Sequence, residues 1–140
     1  MATFNKFNDF SEQLARGVQN FGTDTYKVAL SNTLPLATNA ILSDITQISA
    51  GNGYTSGGTA TTVTVAETGG TTTVSGTQVV FTASGGNIGP FQYVVLYDDT
   101  AASKNLVGWW DYGSAITLAD TETFTVKFSN ASPGAILTLA

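Results

Sequence analysis

Apolar positions along this chain fall in short runs whose spacing changes once. In the first 21 residues they are Phe4, Phe7, Phe10, Leu14, Val18 and Phe21. At 100° per residue these side chains occupy about a third of a helix circumference. Asn5, Asp9, Glu12, Gln13, Arg16, Gln19 and Asn20 fill the rest. The spacing predicts an amphipathic α-helix over 4–21, with Thr3 as its N-cap and Gly22 just past its end. Gly17 falls inside that pattern, at a cost of about 1 kcal/mol relative to Ala. A stripe with four Phe must be covered, by the chain's own sheet or by a neighbouring subunit.

Beyond residue 22 the period drops to two. Tyr26, Val28 and Leu30 alternate with Lys27 and Ala29. Ile41, Ile45 and Ile48 are spaced by four and three, which predicts a short helical turn capped near Thr38 or Asn39. Residues 61–66 and 77–82 read as strands on either side of a turn at Gly69-Gly70. The runs 91–98 and 105–112 are the richest in aromatics, and the first is apolar on both faces. Such a strand belongs at the covered centre of a sheet. Phe124, Val126 and Phe128 alternate, and 135–139 supplies a last short strand. The pattern predicts a mainly β fold: one β-sandwich or β-barrel domain of about seven short, mostly antiparallel strands over residues 23–140. The N-terminal helix, residues 1–22, is part of that domain or an assembly arm.

Composition sharpens this picture. Charged residues are 11% of the 140, against about 25% in ordinary globular proteins. Thr, Ser, Asn and Gly take their place. Either the exposed strand faces are Thr-rich because Thr suits strands, or much of the surface is contact surface, from which Lys and Glu are depleted.

The net charge is −5, with four Lys and one Arg. Nucleic-acid binding requires a basic patch, so no nucleic-acid partner is expected. No apolar run approaches the length of a membrane span, so no membrane partner is expected either. The first residues lack the apolar core of a signal peptide, which points to synthesis in the cytoplasm.

His and Cys are both absent. Ser-His-Asp catalysis, thiol nucleophiles and zinc sites built on those residues are thereby excluded. Asp98, Asp99 and Asp111 close the two central strands, and in a hairpin they would stand at opposite ends. A glycosidase needs its two carboxylates about 5–10 Å apart. These Asp residues are therefore read as turn formers. No catalytic residue, metal site or cofactor is expected, and the protein is read as a non-enzyme.

The loop Gly51-Asn52-Gly53-Tyr54-Thr55-Ser56-Gly57-Gly58 lacks the Lys of a phosphate-binding loop. Its Gly content suits turns with positive φ, and Tyr54 would pin it to the body. Asn130-Ala131-Ser132 matches a glycosylation triplet, with no expected use in a protein that is not exported. Adjacent strand residues point to opposite faces, so Trp109 and Trp110 cannot form one platform. One belongs to the core with Tyr112, and the other faces a covering element or an interface. Trp109 is the candidate contact residue, with Phe4, Phe7 and Tyr54 as further candidates.

An ordered set of fragments carries a resemblance. Thr25-Tyr26-Lys27-Val28-Ala29-Leu30-Ser31-Asn32-Thr33, Ala50-Gly51-Asn52-Gly53-Tyr54, Phe81-Thr82-Ala83, Ile88-Gly89-Pro90-Phe91 and Gly108-Trp109-Trp110-Asp111-Tyr112-Gly113 resemble small structural virion proteins of tailed bacteriophages and prophages. The resemblance implies a capsid decoration, or cement, protein on the surface of the virion. Its partner would be the major capsid protein, and because the sites on a shell are symmetric, a trimer or dimer is expected. A tail or fibre component that binds a host-surface glycan is the alternative.

Overall fold

The computed structural model describes residues 2–129 and 133–140, so the triplet at 130–132 lies outside the described residues. Ten strands are described: β1 (Phe4–Lys6), β2 (Tyr26–Ser31), β3 (Thr59–Thr61), β4 (Val63–Thr68), β5 (Thr71–Gly76), β6 (Val79–Thr82), β7 (Ile88–Asp98), β8 (Leu106–Leu118), β9 (Thr123–Val126) and β10 (Gly134–Leu139). One α-helix, α1 (Phe10–Ala15), and a 3-10 turn at Leu42–Asp44 complete the set. The strands form a five-stranded sheet in the order β1-β8-β7-β2-β3, a three-stranded sheet β10-β5-β4 and a pair β6-β9. Every pairing is antiparallel, and none of the sheets closes into a barrel. No helix among the described residues is long and apolar enough to cross a membrane.

The long hairpin β7–β8 is the axis of the large sheet, with β2 antiparallel to β7 on its other side. On one face, Val28, Leu30, Val94, Leu96 and Trp110 meet Val74 of β5, Phe81 of β6 and Val126 of β9 in a single core. The opposite face carries Ala29, Val95, Tyr97 and Leu106, covered by Phe7 and Ile45. The apolar character of both faces of β7 thus has a partner layer on each side.

The N-terminal segment departs from the predicted helix. Residues 4–6 form an edge strand, with Phe4 opposite Trp110 and Lys6 opposite Gly108. Phe4 and Phe7 are three apart, which in extended chain puts them on opposite sides. Phe4 packs on Trp110 at 5.2 Å between ring centroids, and Phe7 packs on Trp109 at 4.6 Å.

The helix itself is six residues long. Gly17, at φ +76°, ends it: the Val18 N–H bonds the Gln13 carbonyl and the Gly17 N–H bonds the Leu14 carbonyl. These two bonds are a Schellman closure, which calls for Gly at that position. Gly17 is therefore a stop signal, not an interior flaw. Gln19, placed on the polar face by periodicity, is buried instead.

Two further strand assignments move. The turn Gly69-Gly70 joins β4 to β5, with Thr68 opposite Thr71 and both glycines at positive φ. A two-residue loop with both φ values positive suits the twist of a hairpin. The residues from 79 to 82 belong to a different pair, with β9. The helical turn near Ile41 begins at Leu42, and the Asp44 carboxylate accepts the N–H groups of Ala40 and Ile41.

Candidate functional site: an apolar groove beside the N-terminal segment

The three-stranded sheet carries Val65, Val74 and Leu137 in one row, by the register of β4, β5 and β10. Val74 is buried in the core, Leu137 is half-buried and Val65 is exposed. A bulge between Ala135 and Leu137 lets both Ile136 and Leu137 pack on the core. Helix α1 stands beside this sheet without closing over it. A groove of about 450 Å³ runs between α1 and β10, lined by Phe4, Phe10, Leu14, Ala15, Leu137 and Leu139 together with Lys6, Ser11 and Thr138. On the other flank of Leu14 a second depression reaches Phe21 and Val65. Val18, Val65 and Leu139 stand more than 40% exposed nearby. Leu34 and Leu36, on the loop after β2, are exposed to 55% and 58%.

The four expected contact residues are placed differently from one another. Phe4 is half-buried and lines the groove. Phe7 is 0% exposed, enclosed by the chain's own second core, so its ring offers no surface to a neighbour. Tyr54 is also buried: its Oη accepts the Leu30 N–H at 3.1 Å and donates to Gln47 Oε1 at 2.8 Å. It therefore pins the Gly-rich loop to β2. Trp109 is half-buried against Phe7, while Trp110 is a core residue and Tyr112 packs on that core.

Asp98 and Asp111 do not converge. Asp111 faces Tyr93 across the hairpin, while Asp98 lies five residues further along β7. At the rise of a strand that is roughly 17 Å. Asp111 is exposed and accepts from Gln92 Nε2 and the Gly113 N–H, which hold its carboxyl below the usual range. Asp99 pairs with Lys104 at 2.9 Å and Lys27 at 3.2 Å, and the bond from Lys104 chiefly lowers its pKa.

Asp98 behaves differently. It is 0% exposed, and burial first, then the neighbouring Asp24 carboxyl, push its pKa up to about 6. Burial also raises the Tyr26 hydroxyl, with Asp98 and Asp24 adding to the effect. Sequence reasoning missed this polar cluster. The available signal was position: Asp98 ends a strand apolar on both faces, so its register is a buried one.

The chain matches no protein-family model, no curated protein and no solved structure.

Proposed function

We propose that this protein is a non-enzymatic structural component of a bacteriophage virion, a capsid decoration protein that binds the outside of the assembled head. The body is a β-sandwich, with the five-stranded sheet on one side and the two smaller sheets on the other. The observation that carries the reading is the mainly apolar groove between α1 and β10, on a chain in which only 11% of residues are charged. A contiguous apolar surface rimmed by polar groups suits association more than solution. Few long charged side chains would have to be ordered when the surface is covered. The fragment resemblance supplies the kind of partner, the major capsid protein, and the symmetry of shell sites favours a dimer or trimer.

In this reading the protein acts by burying surface. A stable contact buries on the order of 1,600 Å² in total. A ligand that binds only the assembled shell stabilises it by mass action. Purified protein added to expanded heads should co-sediment with them and raise their melting temperature. Failure to bind any head form overturns the reading. Quantitative mass spectrometry of virions should give hundreds of copies; tens of copies would favour the tail or fibre alternative.

A further inference from the structure

Strand β4 forms one edge of the three-stranded sheet, and among the described residues no strand pairs with its outer side. It pairs with β5 along its whole length without a register shift, and every residue from Thr64 to Thr68 is exposed. The turn after it fixes which backbone groups point outward. Thr68 and Thr71 flank the two-residue loop Gly69-Gly70, so they exchange both of their main-chain bonds. Bonded and non-bonded pairs then alternate along the ladder. Ala66 and Thr64 therefore bond inward to β5, as Thr68 does. Thr62 keeps the same alternation, since its carbonyl accepts the Thr77 N–H at 3.0 Å. The N–H and C=O groups of Val63, Val65 and Glu67 point away from β5, and among the described residues no hydrogen bond uses them.

Edge strands usually carry a device against pairing: Lys, Pro, a bulge or very short length. The other sheet edges here have one. β10 is broken by the bulge between Ala135 and Leu137. β1 and β3 have three residues each, and β6 and β9 have four. Beyond Trp110, β8 passes through Gly113 at φ +84°. β4 has none of these in Val63-Thr64-Val65-Ala66-Glu67-Thr68. Its single charge is turned back on its own hairpin, where the Glu67 carboxylate accepts the Gly70 N–H at 2.6 Å.

We propose that two copies of this chain pair β4 against β4, antiparallel, about a two-fold axis through Val65, joining their three-stranded sheets into one. A second copy is the partner because this edge is complementary to itself. With Val65 opposite Val65, each Val63 stands opposite the other copy's Glu67. All the outward N–H and C=O groups of both edges are then used. The two Glu67 residues stay about 14 Å apart along the strands. The row Leu137, Val74, Val65, whose last member is 47% exposed, runs on across the axis into the same row of the other copy. Other centres fit worse. An axis through Glu67 sets two like charges opposite each other. An axis through Val63 carries Val65 and Glu67 past the start of the other β4. This pairing does not rest on the capsid reading, and it selects the dimer.

The full chain is followed by sedimentation velocity from about 5 µM to about 500 µM, the span of small interfaces. A concentration-dependent shift from 14.5 kDa to twice that mass is expected. Val65→Lys sets two like charges at the axis from an exposed position. It should weaken the dimer at least roughly tenfold and leave the melting of the dilute chain unchanged. The chain has no cysteine, so a single introduced thiol reads the axis independently of that variant. Val65→Cys should cross-link to itself under mild oxidation, because facing Cα atoms of a bonded pair lie about 5.5 Å apart. Glu67→Cys, on the same face, should not, with its two copies about 14 Å apart. A chain that stays monomeric across the whole range overturns the proposal. So does a dimer that Val65→Lys leaves intact, or cross-linking of Glu67→Cys as efficient as that of Val65→Cys.

Discussion

Phe7 lies with its ring centroid 4.6 Å from that of Trp109, on the face of the large sheet opposite the Phe4–Trp110 contact. The N-terminal segment is therefore built into both layers of the molecule, through Phe4 on one side and Phe7 on the other. Removing residues 1–21 should unfold the protein, seen as loss of a cooperative thermal transition and of near-ultraviolet dichroism. Phe7→Ala alone should cost about 3–5 kcal/mol in urea denaturation. A truncated chain that melts like the intact one would show the segment to be a detachable arm.

Gly108 and Gly69 should respond very differently to Ala. A Cβ at Gly108 would lie 2.3 Å from Phe4 Cε2 and 2.7 Å from the Asn5 carbonyl oxygen, so β1 must leave its place beside β8. Gly108→Ala should cost more than about 2 kcal/mol, by analogy with overpacked cores. Gly69 has open space around it and only a positive φ to defend, so Gly69→Ala should cost about 1 kcal/mol. Equal losses in the two variants, measured by chemical denaturation, would contradict the edge pairing of β1.

Tyr54→Phe removes one oxygen and orphans the buried Leu30 N–H. It also takes from Gln47 one of its two donors, the other being the Gly57 N–H. A loss of about 1–3 kcal/mol is expected. Hydrogen exchange should quicken at Leu30 and Gly57 more than at Val94 in the sheet centre. Unchanged exchange at both sites would mean that packing alone holds the loop.

The pH dependence has a definite sign. In the folded chain Asp98 keeps its proton up to about pH 6, against an ordinary value of 3.8. Between those values the native state binds more protons than the unfolded chain, so stability falls as pH rises through that window. Asp99, held low first by its bond from Lys104, acts oppositely: its contribution is present above the ordinary carboxylate range and lost in stronger acid. Stability should therefore peak in weak acid and fall toward neutrality. Asp98→Asn should flatten the fall between pH 4 and 7 and leave the acid limb in place. Urea midpoints across the range read both limbs.

Much of the large sheet is legible in the sequence because its strands are long and apolar. The runs ending at Asp98 and beginning near Leu106 announce themselves, as do the opposed faces of Trp109 and Trp110. Strand β5 does not, since Thr71-Thr72-Thr73-Val74-Ser75-Gly76 carries a single large apolar side chain. Nor is the far end of β8 visible past Gly113, where the register with β7 slips between Phe91 and Tyr93. The N-terminal misreading has a definite cause. Phe at spacings of three fits a helical stripe, but the same spacing lets a strand and the turn after it feed two layers. Of the groove residues, Phe4, Phe10 and Leu14 stand on the apolar stripe visible in the sequence. Leu137 and Leu139 were visible only as strand residues, because nothing in periodicity says which strands flank one another.

The pairing of β1 with β8 also bears on how the chain is made. Phe4 must meet Trp110, and Phe7 must meet Trp109. On a ribosome, three early phenylalanines emerge long before the tryptophans that will cover two of them. Closing so wide a span is slow, and sticky surface is bare until it happens. Nascent chains stalled before residue 106 should therefore recruit chaperones, and those stalled well after 118 should release them.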